Sequence, residues 1–337
     1  MKRFSFFLLL CSSLWLAGCT KNSDSDTLIG NWVRRSDFEG VGRSEAITAV
    51  LDGKAYVGLG YNGTDRLADL WVYDNTADFW QKKADFPGTP RNSAVAFAAG
   101  GKIYVGLGYD GVNYLKDFWA YDPAANSWTQ VADFGGSARY EAVAFSLNDK
   151  GYVCSGNDGN YLKDFWSYNP TTNTWTQEIS PGGTKRSAAS VFVIDNKAYL
   201  CLGENNGATV NELWMYDGAS AEWTEKRKLT NVSSDSYDDK YTGITRSNAV
   251  AFTIDGKGYI TTGTIGSGSG LTSNTWEYNP ADDTWLQKTA FDGTAREGAV
   301  GFSVNNRGYV SAGRTLTLRL DDTREFQPNA DNDTNDN

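Results

Sequence analysis

The chain has 337 residues, room for one large repeat domain or two ordinary ones, and 14% of them are aromatic, so apolar surface for a core is plentiful. The formal charge is −10 and no basic stripe interrupts the sequence, which argues against nucleic-acid binding. Histidine is absent, which excludes Ser-His-Asp triads, imidazole acid/base chemistry and His-ligated metals.

Lys2 and Arg3 open the chain with positive charge, and a mostly apolar run from Phe4 to Leu16 follows. That run is too short for a stable membrane span and ends in small residues, so it reads as a cleavable export signal over residues 1–18. Leu16-Ala17-Gly18-Cys19 resembles the lipobox of bacterial lipoproteins. The resemblance implies that Cys19 is lipidated and that the mature protein is membrane-anchored after crossing the inner membrane, at the outer membrane or the cell surface. Residues 19–29 are then a polar tether, and the acidic residues after Cys19 loosely resemble surface-export tags.

From Trp32 onward the chain repeats itself. Ten Trp fall into five pairs spaced nine apart: Trp71/Trp80, Trp119/Trp128, Trp166/Trp175, Trp214/Trp223 and Trp276/Trp285. An Arg follows Trp32 and most second-of-pair Trp by 11 residues, giving Arg43, Arg91, Arg139, Arg186, Arg246 and Arg296. Their spacings are 48, 48, 47, 60 and 50, so about 12 extra residues lie near 231–242. Within a repeat, Ala94-Val95-Ala96-Phe97 alternates, and Gly101-Lys102 turns the chain into Ile103–Gly108. A Gly/Asn/Asp-rich loop leads to Asp117–Tyr121, and Asp122–Asn126 turns into Ser127–Gln130. Four short strands per period, repeated six times, predict an all-β, six-bladed propeller over 30–326.

The repeat resembles the kelch motif. Its carriers are Gly60, Gly108, Gly156, Gly203, Gly263 and Gly313, the strand tyrosines Tyr56, Tyr104, Tyr152, Tyr199, Tyr259 and Tyr309, and the paired Trp. Where most kelch repeats carry Gly-Gly, this chain has Leu-Gly, Ser-Gly, Thr-Gly or Ala-Gly. The Trp are expected to fill the wedges between blades.

The last repeat has no paired Trp, and Leu318-Arg319-Leu320-Asp321 stands where Trp-x-Tyr-Asp is expected. Asn31–Arg35 reads as an isolated fourth strand, so it is expected to complete the last blade and latch the ring. Residues 327–337 are polar and acidic and read as a disordered tail. Cys154 and Cys201 occupy equivalent small-residue strand positions and are expected to be free buried thiols, with no disulfide framework.

The loops between second and third strands share a face with the connections between blades. Arg43, Arg91, Arg139, Arg186, Arg246 and Arg296 begin each first strand, so they are expected near the central opening on that face. There they either rim an anion-attracting funnel or pair with loop carboxylates and backbone carbonyls. Glu45, Ser93, Glu141, Ala188, Asn248 and Gly298 lie two residues past each Arg, and Tyr61, Tyr109, Asn157, Glu204, Thr264 and Arg314 lie just past the second strands. This mixture of carboxylates, phenols and amides suits a glycan or an anionic sugar, and a protein partner also remains open. The insertion at 231–242 is expected on the same face, as a contact loop or a neutral elaboration; its Asp residues lack the spacing of a calcium loop.

Nothing in these residues requires a cofactor, a metal or catalysis, so a binding module is the first expectation. A second is similarity to the six-bladed kelch N-acetylneuraminate epimerases, which would cast Glu141 or Glu204 as the proton-transferring carboxylate. Galactose oxidase shares the repeat type, but its copper needs the histidines that this chain lacks.

Overall fold

The structure is a computed structural model that describes Met1, residues 28–266 and residues 270–335. The signal, Cys19 and most of the tether lie outside the described residues.

Six four-stranded antiparallel sheets are arranged in chain order around an axis. The second blade shows the plan, with strands Val95–Ala99, Lys102–Gly106, Phe118–Asp122 and Ser127–Val131, here lettered a to d from the axis outward. Equivalent strands fill 47–82, 143–178, 190–225 and 250–288. Burial follows this order. Strand a alternates buried and half-buried because one face lines the axis. Strand b is almost wholly buried between neighbouring sheets. Strand d is the exposed outer edge. The sequence carries the same gradient: small residues alternate with Phe or Val in a, Tyr and Val crowd b, and polar residues fill d.

Aromatic rings fill the wedges between blades. Phe97 stacks on Tyr104 of its own blade, with centroids 5.3 Å apart, and reaches Tyr168 and Trp175 of the next. Gly151 admits that ring, since a Cβ there would lie 2.0 Å from Phe97. Gly258 and Gly308 admit Phe192 and Phe252 in the same way. The outer Trp ties blades together through its indole N–H. Trp80, Trp128, Trp175 and Trp223 donate to the backbone carbonyls of Ser36, Ala84, Ala132 and Ile179, each just past strand d of the preceding blade.

The ring closes as expected. Asn31–Arg35 pairs antiparallel with Thr323–Gln327, placing Trp32 opposite Phe326, and so supplies strand d of the sixth blade. Trp32 is fully buried, packs on Phe326 and Phe291, and donates toward the carbonyl of Thr289, the fifth instance of the outer-Trp role, which the Trp285 indole does not fill.

Two expectations are corrected here. Strand c of the last blade is Thr323–Gln327, not the segment at Leu318–Asp321, which belongs to the b–c loop. Arg324 therefore stands at the Trp position and Phe326 at the Tyr position. The tail also continues past the last strand with contacts: Gly30 donates to the carbonyl of Ala330 at 2.9 Å, and Asp333 N–H donates to Asn31 Oδ1 at 2.9 Å. These bonds tie Ala330 and Asp333 to the start of the latch strand at Gly30 and Asn31.

Cys154 and Cys201 are free and buried, and burial pushes both thiols up to about 12. The insertion packs against the outer flank of blade 5. Its Tyr241 accepts from the Trp285 amide and lies edge-on to Trp276, Tyr237 packs on Tyr241, and together they line a groove with Leu28 and Ile29, away from the axial mouth. Asp238 holds its turn by accepting from the amides of Val232 and Ser233.

Candidate functional site: the axial mouth

The six repeat arginines are buried: of the two arrangements expected they take the paired one, and the expectation of an Arg-rimmed funnel is corrected. Arg43, Arg91, Arg139 and Arg296 make two-pronged ion pairs with Asp69, Asp117, Asp164 and Asp322, and Arg186 pairs with Glu212 at 2.6 Å. Each also donates to the carbonyl 16 residues on, for example Arg91 to Leu107 at 3.1 Å. Phe38, Phe86, Phe134 and Phe291 lie under four of the guanidiniums at 4.6 to 5.0 Å. Burial alone would raise the partner carboxylates; the Arg hydrogen bonds and charge outweigh it in the four aspartates, and in Glu212 the bonds from Thr184 do so first and the Arg186 charge next, so all five are lowered. The arginines clamp strands a, b and c together and leave nothing to offer a ligand. The reason is steric: a long side chain at the start of strand a has a neighbouring blade beside it, and a carboxylate 25 or 26 residues later waits in that gap.

Above the clamps the backbone itself closes a circle. Glu45 N–H donates to the carbonyl of Gly298, Ser93 to Glu45, Glu141 to Ser93, Ala188 to Glu141, Asn248 to Ala188 and Gly298 to Asn248, at 2.7 to 3.1 Å. All six residues have φ between 50° and 59°, so each amide turns toward its neighbour's carbonyl. A second circle lies alongside: the amide of Gly108 donates to the Arg139 carbonyl, and so on around to Gly313 and Arg43.

These circles carry three concentric sets of side chains. The inner set is Glu45, Ser93, Glu141, Ala188, Asn248 and Gly298, which line a mouth of about 130 Å³. The outer set is Tyr61, Tyr109, Asn157, Glu204, Thr264 and Arg314. Single β-bridges join it to an intermediate set one residue past each Arg: Ser44, Asn92, Tyr140, Ser187, Ser247 and Glu297. Below the mouth, alanines at 46, 94, 142, 189, 249 and 299 narrow into a channel of about 340 Å³ walled by strand a.

The candidate residues thus separate. Glu45 and Glu141 stand in the mouth, Glu204, Tyr61 and Tyr109 stand around it, and the six arginines stand behind it. Glu141 accepts from Ser187 Oγ at 3.0 Å, and Glu204 accepts from Tyr161 Oη at 3.1 Å. Glu45 accepts from Asn92 and from Ser93. Arg314 pairs with Glu297 at 2.9 Å and reaches Glu45 at 3.7 Å. Burial first, then the charges of Glu45 and Glu204, push the Glu141 carboxyl up to about 7, while the Ser187 hydrogen bond and Arg314 pull the other way. Among the described residues no group of three or more Cys, Asp or Glu is arranged to hold a metal.

Sequence reasoning missed Tyr140 and Glu297 of the intermediate set, and also Arg66, Tyr114, Tyr161 and Arg319 on the loops. The first two follow the Arg period and were readable from it. The loop residues keep it as well, with Arg66, Tyr114 and Tyr161 spaced 48 and 47 apart and all four bridging the outer-set residue of their own blade, so they were readable from the same spacing.

Fold and repeat together define a six-bladed β-propeller with kelch-like repeats. Residues 90–135 and 138–178 match the family model of the kelch motif. No curated protein matches the chain. Among solved structures, that of YjhT superimposes with a TM-score of 0.69 at 19% identity, covering 86% of this chain and 96% of that one. At that identity the likeness is one of fold.

Proposed function

We propose that the protein is a binding module that takes a polyhydroxylated ligand at the axial mouth, through Glu45, Glu141, Glu204 and Arg314 rather than through the six repeat arginines. The observation that carries this is the crown itself: acceptors, one cation and small neutral residues converge on a rigid opening whose frame is held by backbone bonds. Hydroxyl groups need such paired donors and acceptors, and a preformed frame lowers the ordering cost of binding. The test is a glycan array followed by calorimetry on the hits. Glu204→Gln is expected to weaken a genuine hit at least tenfold, and unchanged affinity would place binding elsewhere.

One observation favours a second reading. A carboxyl that burial pushes up to about 7 at the mouth is poised for proton transfer, and this supports a sugar-acid mutarotase with Glu141 as the acid/base group. Proton NMR of anomerically pure N-acetylneuraminate decides between the two: acceleration lost in Glu141→Gln supports catalysis, and no acceleration supports binding alone. A protein partner is favoured if neither assay responds.

The lipobox-like Leu16–Cys19 supports display on the cell envelope through a lipid on Cys19. Mass spectrometry of the mature N-terminus tests this, and an unmodified Cys19 in membrane-extracted protein removes it.

A further inference from the structure

The rim outside the mouth carries an unbroken run of cation–aromatic and aromatic contacts that the mouth does not use. The guanidinium of Arg319 lies 5.4 Å from the Tyr61 ring, and that of Arg66 lies 5.2 Å from the same ring and 4.8 Å from Tyr109. Tyr109 lies 5.7 Å from Tyr114, which stacks on Tyr140 at 5.0 Å and 22°. The run crosses the b–c loops of blades 6, 1 and 2 and ends at the start of blade 3. Every member is at least partly exposed.

Arg66 is held in place, with its Nε donating to Asn92 Oδ1 at 2.8 Å and to the Tyr109 carbonyl at 3.2 Å. Yet neither Arg66 nor Arg319 has an ion pair among the described residues, and the Nε of Arg319 is buried without a partner. Two guanidiniums thus share one tyrosine ring without an ion-paired carboxylate, in a chain of net charge −10. The groove of about 460 Å³ beside Arg319 contains Asp65, which makes no ion pair with either guanidinium.

From this geometry we infer that the rim is a track for an extended anionic saccharide, with charged groups at Arg66 and Arg319 and a sugar ring stacked on Tyr114. Flat tyrosine faces take the apolar faces of pyranose rings, and guanidiniums take carboxylate or sulfate. A single sugar occupies the mouth alone, whereas a run of this length rewards a chain of several rings. The inference rests on the proposed ligand class at the mouth and adds that the ligand is oligomeric and acidic. A nucleic-acid strand also presents rings and anions, but a DNA strand lacks the hydroxyl-rich faces that the acceptors of the mouth would take.

The test is calorimetry of the intact protein against oligogalacturonates of one to six units. Length-matched neutral N-acetylglucosamine oligomers, a heparin hexasaccharide and oligo(dT) serve as comparators. The hexa-uronate or the sulfated hexasaccharide is expected to bind at least tenfold more tightly than the acidic monosaccharide, and salt is expected to weaken that gain. The winner of those two identifies the anion as carboxylate or sulfate. Arg66→Ala with Arg319→Ala is expected to abolish the gain with length, Arg66→Lys to retain part of it, and Tyr114→Ala to trim it. Unchanged melting temperatures show that these variants fold. Equal gains for the neutral series, no gain with length, no binding by either acidic series, or tighter binding of oligo(dT) overturns the track. Monosaccharide binding that responds to Glu204→Gln would then still stand, so the two readings fail separately.

Discussion

Arg246 reaches Asn274 only through that residue's backbone carbonyl, at 2.8 Å. In the five other blades the same position carries a carboxylate that pairs with the repeat arginine. Here the carbonyl of Gly243, at the end of the insertion, completes the coordination, and burial pulls Arg246 down to about 10. Asn274→Asp is therefore expected to stabilise the fold by about 1–2 kcal/mol, because a charge-assisted pair replaces a neutral contact without a change of shape. Thermal unfolding checks it, with an expected rise of about 2–4 °C.

Removing a partner from a complete clamp has the opposite sign. Asp164→Asn strips the carboxylate from a buried Arg139 and is expected to cost about 3 kcal/mol or more. The clamps also set the acid limit. A carboxyl whose folded pKa lies below its unfolded value contributes stability that is full above the unfolded pKa and is lost as pH falls through the folded one. Five such groups predict a steep acid transition below about pH 4, and Asp164→Asn should make that transition shallower. Denaturant titrations at stepped pH measure both.

Glu141 behaves the other way round. Its folded pKa, about 7, is above the unfolded value, so the folded state binds the extra proton between roughly pH 4.5 and 7 and stability declines as pH rises across that window. Glu141→Gln is expected to flatten this decline and to raise stability at pH 8 by about 1–2 kcal/mol. A decline that persists in the variant would mean that another group titrates there.

Gly108 has φ near 95°, and a Cβ would lie 2.7 Å from the carbonyl of Asn92. Gly108→Ala is expected to cost about 2–3 kcal/mol through strain and the lost bond to Arg139. The residue before it explains the absent Gly-Gly doublet. Leu107 also sits at positive φ, near 59°, but its side chain is fully buried between blades, so packing offsets the conformational cost. Ala312 takes the equivalent place with φ near 60° and far less side chain to pack. Ala312→Gly is thus expected to change stability by less than about 1 kcal/mol, whereas Leu107→Gly costs about 3 kcal/mol or more. Urea unfolding of the three variants ranks them.

Trp32 seals the ring, and Trp32→Ala is expected to cost about 3–5 kcal/mol. The readout specific to the latch is hydrogen exchange. Amides of Thr323–Gln327 should exchange faster, because their outer partner strand frays, while amides of Val143–Leu147 across the ring should not.

The repeat period made the blade number, the strand order and the latch legible, because hydrophobic alternation and paired Trp recur at fixed spacing. What the period could not convey is direction. Arg139 recurs at the right interval whether its guanidinium faces the axis or the neighbouring blade, and only its partner distinguishes the two. That partner was in the sequence, since Asp69, Asp117, Asp164, Glu212 and Asp322 follow their arginines by 25 or 26 residues. The same spacing from Arg296 to Asp322 locates strand c of the last blade, where the missing Trp had drawn attention to Leu318. The rim residues Arg66, Tyr114 and Arg319 each lie five past the outer-set residue of their blade and bridge it, so their place was legible; only the contacts between one loop and the next became visible in three dimensions.

The circle of amides from Glu45 to Gly298 runs in one rotational sense, and each of its links is made by main-chain atoms. The side chains at those six points therefore hang from a scaffold that none of them helps to build. Selection can exchange a carboxylate for an amide or a methyl there with little penalty to folding, as the present assortment of Glu, Ser, Ala, Asn and Gly already displays. On the proposed function, specificity would rest on interchangeable positions, and divergence between paralogues should concentrate on them while the arginines behind stay fixed.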